Sequence, residues 1–270
     1  MTADTLSLVG KVAIVTGSGR ENGIGAAIAR ALARNGASVA IHHVSENSKD
    51  RAEKVAADIS REFGFKTVVV QGAIEEQAMA EKIVRQTLKA FNASGIDILV
   101  NNAGIGLINP LMESTPQQLK HDFGVNVFGS IYLTQAVVGV GAMPKGGRII
   151  NIGTISSKQG PQGTPVYAAA KAAQDSLTAS WAGELGPSRG ITVNTIAPGP
   201  VPTDLSRVFL ETPEGNPSPM LDTFYSMARA EARLGTPEDI ADAVLLLTSE
   251  KSRWITAQWI SVSGGITGTM

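Results

Sequence analysis

The sequence predicts an α/β protein with a doubly wound parallel sheet of about seven strands and helices on both faces. Short apolar runs rich in β-branched residues alternate with longer helical patterns, and each run is apolar at consecutive positions. Strands of that kind are buried on both faces, as in a parallel sheet covered by helices. The first run also ends directly in a glycine-rich turn before the first helix, which is the arrangement of a Rossmann-type fold.

The strands and helices can be placed along the chain from these runs. Strands are predicted at Lys11–Val15, Ser38–His42, Lys66–Gln71, Ile96–Asn101, Arg148–Ile152, Thr192–Ile196 and Trp259–Val262. Helices are predicted at Ile24–Asn35, Lys49–Phe63, Glu75–Phe91, Pro116–Val138, Val166–Leu185 and Pro237–Leu247. The first helix is rich in alanine and is expected to stop at Gly36.

A single domain covering residues 1–270 is expected, because no repeat, low-complexity tract or linker divides the chain. The irregular part is segment 202–235, which we interpret as a substrate flap. It holds prolines among apolar residues, at Pro202, Pro213, Pro217 and Pro219, with Pro237 just after it. In a compact domain an insert of this length is more often a lid or binding segment than a linker.

The charge balance argues against partners that need a surface of one sign. The chain has 23 basic and 24 acidic residues and a net charge of −1, which builds no field for nucleic acid or anionic lipid. No apolar run approaches the ~18 residues of a membrane span, and residues 1–10 lack the pattern of a signal peptide. We therefore expect a cytoplasmic protein with no nucleic-acid or membrane partner.

No metal site is expected. The chain has no cysteine, which excludes disulfides, thiolate catalysis and Cys-ligated zinc. His42 and His43 are neighbours on a predicted strand and so face opposite ways, and His121 is the remaining histidine.

The turn between the first strand and the first helix has the pattern of a dinucleotide-binding loop. Glycines there allow positive φ, close approach of the backbone to a pyrophosphate, and tight packing of helix on strand. The N-terminus of the helix then faces the negative charge. The residues expected to contact the cofactor here are Gly17, Ser18, Gly19, Arg20, Gly23, Ile24 and Gly25.

The end of the second strand predicts NADP(H) rather than NAD(H). In NAD-binding proteins of this fold an acidic residue there holds the ribose 2′-hydroxyl, but this strand ends in histidines, with His43 expected beside the cofactor. No carboxylate repels a 2′-phosphate, and Arg20, Ser45 and Lys49 can bind one. The alternative is that a small change of register presents Glu46 instead.

The segment Tyr167-Ala-Ala-Ala-Lys171 is the candidate for the chemistry. Four residues apart on a helix, the two side chains share a face. A free phenol titrates near pH ~10, and a nearby ammonium favours the phenolate, so we expect Lys171 to bring the pKa of Tyr167 closer to the working pH. The pair follows the fifth strand, whose carboxyl end faces the cofactor crevice in such a sheet.

Over nearly its whole length the chain resembles the short-chain dehydrogenase/reductase family. Five ordered signatures carry the resemblance: the loop Thr16–Gly25, Asn101-Asn102-Ala103-Gly104, Asn126, the pair Tyr167 and Lys171, and Pro198-Gly199. The resemblance implies hydride transfer between a nicotinamide and a carbonyl or alcohol carbon, and a homotetramer or homodimer. Two extra residues between Gly17 and Gly23 depart from the common loop, which leaves open which glycine first contacts phosphate.

The family implies a role for each matching residue. Tyr167 is the general acid in reduction and the base in oxidation, Lys171 also contacts the nicotinamide ribose, and Asn126 holds a water that links Lys171 to solvent. Asn102, Ala103 and Gly104 line the adenosine ribose, Ala73 and Ile74 lie near the adenine, and Pro198, Gly199, Val201 and Thr203 hold the carboxamide. The hydroxyl beside the substrate oxygen is Thr154, with Ser156 as the alternative.

Apolar flap residues favour an apolar or aromatic carbonyl substrate. They are Leu205, Val208, Phe209, Leu210, Met220, Leu221, Phe224, Tyr225 and Met227. Two alternatives stay open at this point. One is a reductase of 3-oxoacyl chains bound to a carrier, and the other is an NADP(H)-binding sensor or scaffold without turnover.

Overall fold

The computed structural model describes residues 6–106, 108–212 and 214–267. Within them seven parallel strands form one sheet in the order β3-β2-β1-β4-β5-β6-β7. The strands are β1 Val12–Val15, β2 Ser38–His43, β3 Thr67–Gln71, β4 Ile98–Asn101, β5 Arg148–Ile152, β6 Thr192–Pro198 and β7 Trp259–Val262. The predicted fold class, a doubly wound parallel sheet, is confirmed.

Helices cover the two faces of this sheet. They are α1 Ile24–Arg34, α2 Lys49–Phe63, α3 Gln77–Phe91, α4 Pro116–Phe123, α5 Gly129–Val138, α6 Ser156–Gln159, α7 Pro165–Arg189, α8 Arg207–Leu210, α9 Met220–Met227 and α10 Pro237–Thr248. One core packs α1, α2 and α10 on the sheet, and a second core packs α3, α5 and α7 on the opposite face. Burial on both faces explains why the strands are apolar at consecutive positions.

The long helix predicted at Pro116–Val138 is interrupted. Its middle, Gly124–Phe128, is a π-helical turn between α4 and α5, and it includes Asn126. The apolar pattern runs through the turn without a break, so the pattern shows no boundary there. A π-helical turn shifts the side chains that follow it and is frequent at functional sites.

Helix α7 runs further than predicted. The predicted end was Leu185, but the helix continues through Pro187 to Arg189 and ends where Gly190 adopts a left-handed conformation with φ 62°. Proline removes one helical hydrogen bond, and the backbone bond from Gly190 N to Gly186 O at 2.7 Å closes the last turn.

The flap segment holds two short helices, α8 and α9, and an antiparallel bridge between Glu211 and Pro217. Pro213 lies outside the described residues. The segment is tied back at both ends, because Ser206 Oγ donates to Val201 O at 2.6 Å and Arg229 N donates to Gly264 O at 2.7 Å.

The strand order reverses between β1 and β4, where chain connections lead to opposite sides of the sheet. Ligands of open α/β sheets bind at this point, beyond the carboxyl ends of the strands. None of the helices in the described ranges combines the length and hydropathy needed to cross a bilayer. The same ranges contain no group of acidic and histidine side chains that could hold a metal ion.

Candidate active site

The glycine loop between β1 and α1 is held by His42 at the end of β2. Gly17 N donates to His42 Nδ1 at 3.0 Å, and Ser18 N donates to the His42 carbonyl at 3.1 Å. Since Nδ1 accepts, the ring proton is on Nε2, which donates to Gly72 O at 2.9 Å. Burial lowers the pKa of His42 to about 4, so the ring is neutral. The sequence favoured a structural or phosphate-adjacent role for the paired histidines over metal ligation. The position of His42 under Gly17 depends on the register of β2 against β1.

The glycine loop packs closely on itself and on the segment after β4 because its glycines lack Cβ atoms. A Cβ on Gly25 would lie 2.5 Å from Asn102 Nδ2 and 2.6 Å from Gly17 O. Gly17 has φ +63°, and a Cβ there would lie 2.9 Å from Ala103 Cα. Gly23, the N-cap of α1, brings no side chain over the first N–H groups of the helix. Those N–H groups have no partner within the helix and suit an anion, so the loop fits a dinucleotide.

Asn102 joins the end of β4 to this loop. Its Nδ2 donates to Thr16 O at 2.7 Å and to Gly17 O at 3.2 Å, and Thr16 Oγ1 accepts from the backbone of both Asn102 and Ala103 at 2.9 Å. Both backbone polar groups of Gly17 are therefore used inside the protein, and its own contribution to the cofactor site is its left-handed conformation.

Basic side chains lie beyond the end of β2, where a 2′-phosphate is expected. The Arg20 side chain is 58% exposed, and its Nη1 lies 3.8 Å from Asp204 Oδ2. Glu46 starts a short 3₁₀ turn, and its carboxylate accepts from Lys49 Nζ at 3.1 Å. Ser45 is exposed beside this turn. Glu46, whose carboxylate was the reason to keep NAD(H) as an alternative, is thus paired with Lys49.

His43 and Gly19 pack together below this region. His43 is buried, with Nδ1 at 3.0 Å from Ser45 O. A Cβ on Gly19 would lie 3.2 Å from the His43 Cβ and 2.9 Å from Ala52 on α2. Gly19 therefore lets the loop pass close to α2.

Asp204, at the start of the flap, is a residue that sequence reasoning missed. It accepts from Asn22 Nδ2 at 2.7 Å and from Arg51 Nη1 at 3.1 Å, and these hydrogen bonds hold the pKa of its carboxyl below the usual value. Glu21 also accepts from Arg51 Nε at 2.7 Å. The two-residue extension of the glycine loop was the available signal, since this part of the loop reaches the flap.

Tyr167 and Thr154 meet where β5 and the first turn of α7 approach each other. The two side-chain hydroxyls are hydrogen-bonded, which lowers the pKa of Tyr167, but burial outweighs this effect and raises the pKa to about 12. Gly106 lets the chain pass the phenol ring, because a Cβ there would lie 3.3 Å from Tyr167 Cδ2. Ser156 begins α6, and its backbone N donates to Thr154 Oγ1 at 3.2 Å.

Lys171 is 3% exposed and is held from the sheet and from its own helix. Its Nζ donates to Ile152 O at 2.8 Å and to Gln174 Oε1 at 3.3 Å. Burial lowers the pKa of Lys171 to about 8, opposed by Asp175. The expected net lowering of the Tyr167 pKa is wrong for this structure, because burial dominates at the phenol.

Asn126 lies in the π-helical turn and is fully buried. Its Nδ2 donates to Ile105 O at 2.9 Å and to Asp122 O at 3.0 Å, while its Oδ1 accepts from Ile105 N at 3.2 Å. A Cβ on Gly104 would lie 2.9 Å from Asn126 Oδ1 and 3.4 Å from Lys171 Nζ. Asn126, Gly104 and Lys171 are therefore neighbours.

The remaining predicted cofactor residues lie along the same edge. Pro198 ends β6, Gly199 N donates to Val262 O at 3.1 Å, and Thr203 Oγ1 lies 3.2 Å from Ser206 Oγ, while Val201 is buried. Ile74, which follows Ala73, is buried, and a Cβ on Gly129 would lie 2.7 Å from its side chain. Ile74 thus packs on α5, which leaves the backbone of this segment as the part that can face an adenine.

Comparison with known proteins identifies the family of the chain. A family profile described as enoyl-(acyl carrier protein) reductase matches residues 17–267. The short-chain dehydrogenase/reductase FrzI of a Cladobotryum species is 38% identical, over 96% of this chain and 97% of its own. Versicolorin reductase 1 of Aspergillus parasiticus is 33% identical, over 97% and 98%. The 3-oxoacyl-[acyl-carrier-protein] reductase FabG of Vibrio cholerae is 34% identical, over 97% and 99%.

Solved structures with this fold contain the predicted cofactor. A blue fluorescent protein from a metagenomic library, in complex with NADPH, has a TM-score of 0.85 at 34% identity, covering 97% of this chain and 100% of that chain. The angucycline C-6 ketoreductase LanV with bound NADP has a TM-score of 0.85 at 32% identity, covering 96% of both chains. The predicted cofactor, NADP(H), is confirmed. The protein is an oxidoreductase and belongs to the short-chain dehydrogenase/reductase family.

Proposed function

We propose that the protein is an NADP(H)-dependent ketone reductase with Tyr167 as its acid/base. It transfers a hydride between the nicotinamide and the carbonyl or secondary alcohol carbon of an apolar or aromatic small molecule. The observation that carries the proposal is the hydroxyl pair of Tyr167 and Thr154, one helical turn from the buried Lys171. These groups lie beyond the carboxyl ends of the strands, where the cofactor loop also lies.

The protein's own residues supply the proton and the charge stabilisation. When bound, NADPH supplies the hydride, and NADP⁺ accepts it in the reverse reaction. Tyr167 and Thr154 both donate hydrogen bonds to the substrate carbonyl oxygen as negative charge develops on it. The phenol O–H bond then breaks, the alcohol O–H bond forms, and the Lys171 ammonium stabilises the phenolate that remains. Thr154 rather than Ser156 is proposed for this role, because Thr154 is the hydroxyl bonded to Tyr167.

The protonation states favour reduction at neutral pH. With a pKa of about 12, Tyr167 carries its proton and can act as an acid without prior activation. With a pKa of about 8, Lys171 is charged at pH ~7. Oxidation requires the phenolate at the start, so we expect it to need alkaline conditions.

The residues proposed to hold NADP(H) surround the cradle of the glycine loop. The N–H groups at the start of α1 bind the pyrophosphate, and Arg20, Ser45 and Lys49 bind the 2′-phosphate. Asn102 to Gly104 lie beside the adenosine ribose, and Pro198 to Thr203 lie beside the carboxamide. Lys171 contacts the nicotinamide ribose, and Asn126 holds the water of the proton relay. The flap belongs to the same single domain in this proposal.

An apolar substrate is supported by the surface of the flap. Leu205, Val208, Met220, Tyr225 and Met227 are each between 37% and 51% exposed, whereas Leu210 is buried. Two proteins similar to this chain carry names of reductases, versicolorin reductase 1 and the angucycline C-6 ketoreductase LanV. An apolar or aromatic ketone is therefore the first substrate class to assay.

A carrier-bound 3-oxoacyl chain is the second candidate, since FabG of Vibrio cholerae is similar over nearly the full length. A panel of aromatic ketones, aliphatic ketones and 3-oxoacyl thioesters, followed by NADPH absorbance, separates the two. Turnover confined to the thioesters contradicts the ketone proposal. NADPH binding with no turnover on any member of the panel supports the alternative of a sensor or scaffold.

The acid/base role is tested by Tyr167→Phe with Tyr132→Phe as the matched control. Removal of the Tyr167 hydroxyl should abolish turnover and leave the Kd for NADPH within about threefold, because the phenol acts on the substrate. Tyr132 lies on α5, and its variant should keep wild-type turnover. Comparable activity in Tyr167→Phe and wild type rules out the proposed mechanism.

A further inference from the structure

A chain of buried hydrogen bonds connects Lys171 to the backbone of the π-helical turn. Lys171 Nζ donates to Gln174 Oε1 at 3.3 Å, Gln174 Nε2 donates to Ser130 Oγ at 2.7 Å, and Ser130 Oγ donates to Asn126 O at 3.4 Å. Gln174 is 0% exposed and Ser130 is 2% exposed. Both groups are therefore removed from water and depend on these partners.

The order of donors and acceptors along this chain is fixed. An ammonium only donates, so the oxygen of the Gln174 amide must face Lys171 and its nitrogen must face Ser130. The Ser130 hydroxyl then accepts from the amide, and its proton is directed to the Asn126 carbonyl. Each of the two buried side chains has a matching partner on both sides, which is the condition under which a buried polar network rigidifies a site.

Gln174 gives the Lys171 ammonium a second hydrogen-bond acceptor besides the Ile152 carbonyl. The lysine side chain is long and flexible, and the Ile152 carbonyl fixes one N–H at 2.8 Å. The second contact, Gln174 Oε1 at 3.3 Å, fixes another of its N–H groups. Gly104 allows this position, since a Cβ there would lie 3.4 Å from Nζ.

The charged and titratable groups near Lys171 do not replace this contact. Asp175, on the same helix, accepts from Ser157 Oγ at 2.7 Å and lies 3.4 Å from Lys158 Nζ of α6. Burial raises the pKa of Asp175 and also that of Asp122, on α4. Tyr167 on α7 is protonated at neutral pH. Gln174 is the neutral acceptor at the ammonium, beside the Ile152 carbonyl.

We propose that Gln174 is a positioning residue, which fixes the Lys171 ammonium one helical turn from Tyr167, keeps it charged, and ties it through Ser130 to the Asn126 carbonyl. The consequence for turnover rests on the proposed function, but the effect on Lys171 does not. A neutral acceptor stabilises the charged form of its donor. Loss of the amide oxygen should therefore lower the pKa of Lys171, and a carboxylate in its place should raise it.

The test uses Gln174→Met and Gln174→Glu, which keep an unbranched side chain. Both lose the N–H that Gln174 donates to Ser130, but Gln174→Met also removes the acceptor for Lys171, whereas Gln174→Glu replaces it by a carboxylate oxygen. The pKa of Lys171 is read by NMR of ¹³C-labelled lysine in the free protein, without turnover. In Gln174→Met it should fall by about one unit, the worth of one hydrogen bond to a charged group. In Gln174→Glu it should rise. The alkaline limb of the kcat profile should move in the same two directions, with kcat in Gln174→Met reduced about tenfold and KM for NADPH nearly unchanged.

Thr178→Val is the matched control, because it removes a buried hydroxyl one turn further along α7. Thr178 is 2% exposed, and its Oγ1 accepts from Asn151 Nδ2 at 2.8 Å and lies 2.8 Å from Thr195 Oγ1. It also donates to the Gln174 backbone carbonyl at 3.0 Å, so its variant leaves the Gln174 side chain unchanged. Its variant should lose stability without changing the titration of Lys171. Ser130→Ala should shift the pKa in the direction of Gln174→Met but by less. A titration unchanged in Gln174→Met, or shifted equally in Thr178→Val, overturns the proposal. An inactive wild type with the expected Lys171 shifts would instead contradict only the proposed function.

Discussion

Substitution of His42 tests how the protein holds the loop that binds the cofactor. The neutral ring is 2% exposed and joins Gly17 of the cofactor loop to Gly72 after β3. Asparagine can place an oxygen near the position of Nδ1, whereas glutamine can place a nitrogen near Nε2. His42→Asn therefore keeps an acceptor for Gly17 N, and His42→Gln keeps a donor for Gly72 O and leaves Gly17 N without its partner.

The size of each effect follows from these contacts. A buried donor left unpaired costs about 1–3 kcal/mol. When this cost is taken from the binding energy, the Kd for NADPH in His42→Gln rises by about 5- to 140-fold, because ~1.4 kcal/mol corresponds to a factor of ten. His42→Asn should bind NADPH within about threefold of wild type. Both variants lose some stability, since each lacks one of the two ring contacts.

The depressed pKa of His42 adds a pH dependence with a definite sign. The pKa lies at about 4 in the folded protein, against an ordinary value of 6.5. On acidification the unfolded chain takes up its proton first, so this contribution is complete above pH ~6.5 and is lost as the pH falls towards ~4. Between about pH 7.5 and about pH 5 the linkage relation gives a loss of about 2 kcal/mol. Neither variant carries this titrating group.

Urea unfolding at those two pH values, with and without NADPH, measures both effects. The other titrating groups are shared, so the wild-type loss of stability on acidification minus the loss in His42→Asn isolates the histidine. Equal losses in the two proteins would show that His42 is not held neutral. A Kd for NADPH that is the same in His42→Gln and His42→Asn would show that the ring does not support the loop.

Three further results are expected. Thr154→Val should lower kcat by about 10²- to 10³-fold, as for the loss of one donor to a developing oxyanion, while Ser156→Ala should leave kcat nearly unchanged. The reverse order of the two steady-state rates would assign the role to Ser156. Arg20→Ala should weaken NADPH binding and leave NADH binding unchanged in fluorescence titrations, because the 2′-phosphate is the part of the cofactor that the guanidinium is proposed to contact. Equal losses of affinity for NADPH and NADH would show that Arg20 does not contact the 2′-phosphate. Gly25→Ala should lower the Tm and the NADPH affinity, because a Cβ there would lie 2.5 Å from Asn102 Nδ2. In the control Gly183→Ala, on α7, the added Cβ has no neighbour within 4 Å, so this variant should stabilise the protein by about 0.5–1 kcal/mol.

The strands and the larger helices could be predicted because their signals are local. Helix α2 and strands β5 and β7 have the predicted ends, since their apolar periodicity is clear and Gly64 terminates α2 in a left-handed conformation. The end of α7 was misplaced because Pro187 stops a helix only when nothing else supports the next turn. Here α7 packs along β6 and the second core, and this contact with the sheet is absent from the local pattern.

The π-helical turn and the Asp204 contacts could not be predicted, for a different reason. The turn Gly124–Phe128 has the composition of an ordinary helix, and its Asn126 side chain bonds Ile105, in the loop after β4. Asp204 pairs with Asn22 and Arg51, which are 182 and 153 positions away. Both features depend on loops that meet at the edge of the sheet. They can be inferred only once the order of the strands in the sheet is known.

The charge states of His42 and Lys171 match the atoms that face them. Burial lowers the pKa of both groups, yet at neutral pH His42 is neutral and Lys171 is charged. The His42 ring faces an N–H donor at Gly17, which a protonated Nδ1 could not accept, so the neutral form is required there. Lys171 faces two oxygens, at Ile152 and Gln174, which only a donor can satisfy. Composition and spacing identify both residues as candidates, but the identity of the facing atom decides what each can do.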